Sequence, residues 1–245
     1  MKLFFHETET LLNMGELLEK YSYREFLSPY RSTVNMLSFT QSTAIDSFLK
    51  EIDVDKSKAK FFFEYRVPVQ QGGGPSSHTD VMIFNGNRCI AIEAKNTEPP
   101  YDKVNVWLTN PNRSEVLTGW LNLINSKANT ALTLDDVQDI TYQMIHRLAS
   151  ACTDETKKPE LIYLYFKKKV RMQEYYIEQL TRLKQLVEDK IKIRLYFIDN
   201  TPTAEMINLQ GQWDNSVRDL RTQVLAGLIA NNLFTFDNVE LNNRI

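Results

Sequence analysis

The chain has 245 residues, 42% of them hydrophobic and 24% charged, with a formal net charge of −2; this is the composition of a globular protein and excludes wholesale disorder. No apolar run approaches the roughly 18 residues of a membrane span, and Glu7 and Glu9 stand where a secretory signal would need its hydrophobic region. Two cysteines, Cys89 and Cys152, make neither a disulfide framework nor a zinc site, and the expected location is a reducing cytoplasm.

In chain order, residues 7–20 mix acids with Leu11, Leu12, Leu17 and Leu18, which are spaced for one face of an amphipathic helix. Ser28-Pro29 stops a second short helical stretch. Ile45, Phe48, Leu49 and Ile52 predict a third helix over residues 40–52. Residues 60–70, KFFFEYRVPVQ, read as a strand with Glu64 among aromatics, an edge acid near Arg66. The run Gly72-Gly73-Gly74-Pro75-Ser76-Ser77 lacks the Lys-Ser/Thr ending of a phosphate-binding loop, so it reads as a flexible loop. Next come two short apolar strands, Val81 to Phe84 and Cys89 to Ile92, joined by the turn signal Asn85-Gly86-Asn87. With Phe84 paired near Asn87, Met82 faces Cys89 and Asp80 faces Ala91. The period of two then puts Asp80, Ala91, Glu93 and Lys95 on one face. Opposed β-carbons lie roughly 5 Å apart and diagonal ones roughly 7 to 8 Å, so two carboxylates and an ammonium converge, and the acids can share one cation. The alternative is a solvated strand end on which Glu and Lys merely alternate.

Residues 96–129 are polar and interrupted by Pro99-Pro100, Pro111 and Gly119; they read as a substrate-facing insertion with a short helix at 115–124 carrying Trp120. Residues 133–152 carry the clearest helical stripe, from Leu134 through Met144 to Cys152, and Thr133 with Asp136 resembles a capping box. Gln143 and Arg147 lie beside the stripe, and His146 falls on its exposed side. A strand over 161–166, the basic run Lys167-Lys168-Lys169-Val170-Arg171, a helix over 173–190 and a strand over 193–198 follow. Strand, helix, strand favours a parallel pair. The C-terminal part offers a short strand at 206–209, a helix at 216–230 and an Asn-rich, fraying tail. The element order implies an α/β fold with a mixed central sheet flanked by helices. It reads as one domain over 1–245: a helical part at 1–58, a core at 59–200 and an extension at 201–245.

Asp80, a short β-turn-β, then Glu93-Ala94-Lys95 resembles the motif of the PD-(D/E)XK nuclease superfamily, whose fold is restriction-endonuclease-like. The resemblance is tight over about 20 residues and loose from Phe61 to about Phe166. It implies a magnesium- or manganese-dependent nuclease acting on nucleic acid, DNA foremost. Asp80, Glu93 and the Ala94 backbone carbonyl would hold the metal, with Glu64 a further ligand candidate. Lys95 would orient water or steady developing charge. Gln143 in YQMIHR looks like the Gln that such nucleases place on the helix after the Glu-X-Lys strand, with Gln138 a competing match. Glu25, Asp46 and Glu51 are candidates for an additional helix-borne acid, against their plainer reading as surface acids. His78 suits a loop or substrate contact better than magnesium. The alternative from another class is a catalytically inactive nuclease-like fold serving as a nucleic-acid- or protein-binding module.

Overall fold

The computed structural model describes residues 1–26, 31–110, 112–166, 170–212 and 217–245. Ser28-Pro29, Pro111, Lys167-Lys168-Lys169 and Ser216 lie outside the described residues, as do the side chains of Val170 and Arg171. Among the described residues seven strands form one mixed sheet whose spatial order is the chain order. They are β1 (Lys2–Phe5), β2 (Lys60–Val67), β3 (Ser77–Asn85), β4 (Arg88–Lys95), β5 (Lys158–Phe166), β6 (Lys192–Pro202) and β7 (Phe234–Leu241). The helices are α1 (Met14–Lys20), α2 (Ser32–Gln41), α3 (Ala44–Glu51), α4 (Val104–Trp107), α5 (Asn112–Ala128), α6 (Tyr142–Ala151), α7 (Val170–Leu186), α8 (Ala204–Gly211) and α9 (Val217–Ala230).

β2, β3 and β4 make the expected antiparallel meander, and β4, β5 and β6 run parallel. The β5-α7-β6 unit is the predicted strand-helix-strand. Alternation along the strands sends Phe61, Phe63, Val81, Ile83, Ile90 and Ile92 into one core, with Leu17, Phe39 and Phe48 from the N-terminal helices and Leu228 from α9. Phe62, Met82, Cys89 and Ala91 enter the other, beneath Trp120, Met144, Leu148 and Leu180 of α5, α6 and α7. Because both faces of β4 are covered, it reads as a continuous apolar run rather than an alternating one. Each fully buried large side chain contributes about 1.5–3 kcal/mol to this three-layer arrangement.

Several predicted elements differ, some because a distant partner outweighs the local pattern and some because a local cap starts or stops a helix. β1 pairs in parallel with β2, some sixty residues away, so no turn announces it. The predicted helix at 7–20 is only α1, capped by Asn13, whose side chain accepts from the Glu16 amide at 3.0 Å; Leu12 instead bridges back to Leu3. The predicted helix at 40–52 is divided between α2 and α3 at Ser42, whose hydroxyl donates to the Phe39 carbonyl at 2.8 Å. The helix predicted from Thr133 begins only at Tyr142. Thr141 is extended, its amide held by Gln179 Oε1 at 2.9 Å, and Asp136 accepts from Thr133 across a lone 3-10 turn. The strand predicted at 206–209 is the helix α8, capped by Thr203, and the supposed fraying tail is β7, antiparallel to β6. Half of the insertion at 96–129 is the 17-residue α5, packed on the sheet.

Candidate active-site cleft

The β3–β4 ladder closes on Asn85↔Arg88 around Gly86-Asn87 and ends at Val81↔Ile92. Gly86 takes φ +59°, a conformation that glycine adopts without steric cost. The pairing is Met82↔Ala91, two residues from the expected register, because the turn occupies 86–87 rather than 85–86. A shift of two preserves faces. Continuing the register places Asp80 across from Glu93, and the flanking pairs Phe63↔Val81 and Tyr65↔Thr79 place Glu64 across from Asp80. Three acids thus occupy one level of three adjacent strands. Glu64 has φ +50° within β2, a rare state for a non-glycine residue, and the His6 ring bonds its carbonyl at 2.8 Å.

These residues line a cleft of about 560 Å³ with Lys95, Gln143, Arg147, Arg31, Glu25, His78, Glu98 and the loop Pro99-Pro100-Tyr101-Asp102. β4 brings Glu93 and Lys95, β3 brings Asp80 and His78, and α6 brings Gln143 and Arg147 across the sheet face. Asp46 and Glu51 are elsewhere and exposed, Asp46 paired with Lys56 at 2.5 Å. Gln138 bonds Asp135 at 2.8 Å and is not among the cleft residues, so Gln143 is the glutamine at the acids. Arg66, a proposed neighbour for Glu64, pairs with Glu7, while His78 Nδ1 lies 3.8 Å from Glu64 Oε2.

Glu93 is 2% exposed and its carboxylate is fully engaged. Lys95 Nζ lies 2.6 Å and Gln143 Nε2 2.8 Å from Oε1, and Arg147 Nε donates to Oε2. Burial pushes the Glu93 carboxyl up, but the Arg147 and Lys95 charges outweigh it and hold it below the usual range. Burial works against the charges of Lys95 and Arg147 too, and Glu93 with Asp80 more than restores them. Asp80 is moved the other way: burial first, then Glu93 and Glu64, raise it well above an ordinary aspartate. Asp80 Oδ2 accepts the Ala94 amide at 2.7 Å, beyond the end of the ladder. Since the N–H and C=O of one extended residue point to the same side, the Ala94 carbonyl also faces this edge.

Arg147, read from the sequence as a flanking residue, is the main member missed. It lies four residues after Gln143 and therefore on the same helix face, which is the signal that locates it. Its Nη1 donates to Ser77 Oγ at 2.7 Å and contacts His146 Nδ1 at 3.1 Å. His146, expected to be exposed, is half-buried; burial, then Arg147 and Lys95, depress its pKa well below that of free histidine. Glu98 was also missed. Its carboxylate accepts the amides of Ser32 at 2.6 Å and Asn96 at 2.8 Å, tying the start of α2 to the end of β4.

Among the described residues no group of three His, Cys, Asp or Glu is placed to hold a metal ion together, and no helix is long and apolar enough to cross a membrane. Searches of curated proteins and of solved structures found no match. Residues 8–202, from before α1 to the end of β6, match the model of a domain of unknown function, DUF6946, and the chain belongs to that family.

Proposed function

We propose that the protein is a divalent-metal-dependent nuclease that hydrolyses phosphodiester bonds in DNA on a restriction-endonuclease-like sheet, within the cytoplasm. The observation that carries this reading is the meeting of Asp80, Glu93, Lys95 and Gln143, from three separate elements, in one cleft. The charge balance of that cleft supports it. Among the described lining residues Glu25, Glu64, Asp80, Glu93, Glu98 and Asp102 outnumber Arg31, Lys95 and Arg147, so an added cation favours entry of a phosphodiester.

The donor set fits magnesium or manganese rather than zinc. Magnesium takes one or two carboxylates and keeps its waters, so Asp80, Glu93 and the Ala94 carbonyl suffice without a three-acid cage, with Glu64 next in line. When bound, such an ion supplies an activated water and stabilises charge on the phosphoryl oxygens. The protein's own groups position that chemistry. Gln143 and Arg147 fix the Glu93 carboxylate, and Lys95, 4% exposed, is a preset cation beside it that needs little reorganisation as charge develops. Asp80, held toward its neutral form, ionises most readily when a cation offsets Glu93 and Glu64.

One observation favours a second reading, a binding module without chemistry. Both oxygens of Glu93 are already met by Lys95, Gln143 and Arg147, as in a structural buried ion pair. Calorimetric titration with magnesium and manganese, with cleavage assays on DNA and RNA, separates the two. The nuclease reading expects metal binding lost in Asp80→Asn, chelator-sensitive cleavage, and slower cleavage in Gln143→Ala without unfolding. DNA binding with no cleavage under any metal replaces it with the binding module.

A further inference from the structure

Beyond the acids the cleft continues into a recess of about 140 Å³ lined by Tyr101, Asp102, Trp107, Tyr142 and His146. Tyr101 and Asp102 belong to both spaces. A cavity of roughly 150 Å³ takes up benzene, so the recess has room for one planar six-membered ring. Its walls are preset. Trp107 and Tyr142 stack with centroids 3.5 Å apart and planes 11° from parallel. Trp120 Nε1 donates to the Tyr142 hydroxyl at 3.1 Å, and the Arg113 guanidinium lies 5.1 Å from the Trp107 ring centroid.

Tyr101 stands apart from these packed rings. It follows Pro99-Pro100, is 55% exposed, and its ring centroid lies 5.2 Å from Lys95 Nζ. An aromatic ring left in solvent at the junction of a charged cleft and an aromatic recess has unused stacking surface. The recess also carries polar groups of both kinds. Arg147 only donates hydrogen bonds, so its contact with His146 Nδ1 makes that nitrogen an acceptor, and the neutral imidazole bears its proton on Nε2. Ser77 Oγ lies 2.9 Å from the same Nδ1. His146 and Asp102 thus add polar side chains to a space otherwise lined by rings.

We propose that this recess receives one unpaired nucleobase of the substrate strand, stacked on Tyr101, while the adjoining phosphate meets Lys95. The inference rests on the nuclease reading and deepens it: the preferred substrate is single-stranded DNA or a frayed end. A base in a duplex is stacked on both faces and paired along its edge, and it reaches such a recess only by leaving the helix, at a cost of a few kcal/mol.

The test measures fluorescence anisotropy of labelled oligothymidylate, an oligonucleotide of the same length with abasic sugars, a duplex, and oligouridylate. It is run with calcium, an oxygen-seeking dication, and repeated as cleavage with magnesium. Base-on-aromatic stacking is worth roughly 1–3 kcal/mol, which is about 5- to 150-fold in affinity. Oligothymidylate should therefore bind that much more tightly than the abasic strand and more tightly than duplex. Tyr101→Ala should remove the advantage over the abasic strand, and Tyr101→Phe should keep it. Since Tyr101 is exposed, unchanged thermal melting of both variants checks that the fold persists. Equal affinity for oligothymidylate and abasic strand, or an undiminished advantage in Tyr101→Ala, overturns the recess assignment while leaving the nuclease reading standing. Oligouridylate favoured over oligothymidylate overturns the assignment to DNA. Wild-type protein that neither binds nor cuts any of these strands overturns the nuclease reading and this inference with it.

Discussion

Replacing Arg147 with Met removes the arginine that meets Glu93 while keeping a flexible side chain of similar reach. Three contacts go at once: Nε to Glu93 Oε2, Nη1 to Ser77 Oγ and Nη1 to His146 Nδ1. Arg147 is 7% exposed and Glu93 2%, so water does not replace what is lost. Breaking a buried ion pair from one side costs about 3–5 kcal/mol. Lys95 and Gln143 remain on Oε1, which places the expectation toward about 3 kcal/mol. For a chain of this size each kcal/mol moves Tm by about 2–4 °C, so the variant should melt about 6–12 °C below wild type at neutral pH. Calorimetry, with urea titration to check that the transition stays two-state, measures it. Glu93→Gln combined with Arg147→Met should recover part of the loss, because the position that Arg147 leaves without a donor no longer carries part of a buried negative charge. A single variant within about 1 kcal/mol of wild type, or a strictly additive double variant, would show that Glu93 does not depend on Arg147.

Asp80→Asn should stabilise the metal-free protein. The folded-state pKa of Asp80 is raised, so its ionisation opposes folding as pH climbs above the unfolded value of about 3.9; the melting advantage of the variant should be absent below that pH and grow above it, and no gain at neutral pH would refute this. Gly119→Ala should destabilise by about 1–3 kcal/mol, since its new β-carbon would stand 2.9 Å from the Gln71 amide nitrogen; an unchanged urea midpoint would show that the loop at 70–71 yields freely. Burial pushes the Cys89 thiol up to about 12 and Cys152 higher still, so an aromatic disulfide reagent at pH 8 should leave the native protein unreacted and titrate both thiols after denaturation.

The sequence alone carried those features whose cause is local. The turn signal Asn85-Gly86-Asn87 and the period of two implied that Asp80, Glu93 and Lys95 share a face, and an error of two residues in register left that conclusion intact. The apolar run at Cys89 to Ile92 and the helical stripe through Met144 and Leu148 likewise located a strand and a helix, though the helix starts later than predicted. What the sequence did not carry was decided by partners distant along the chain. β1 is a strand because β2 pairs with it, and β7 because β6 does, so neither needs a local signal. α6 starts at Tyr142 because Gln179 takes the Thr141 amide. Arg147 and Glu98 look like ordinary surface charges until folding places Arg147 on Glu93 and sets Glu98 against the backbone amides of Ser32 and Asn96. The recess behind Tyr101 exists only where the loop after β4 meets α4 and α6. Periodicity records which way a side chain points relative to its neighbours; which charge it meets there depends on contacts between segments, and those form only when the sheet and helices pack.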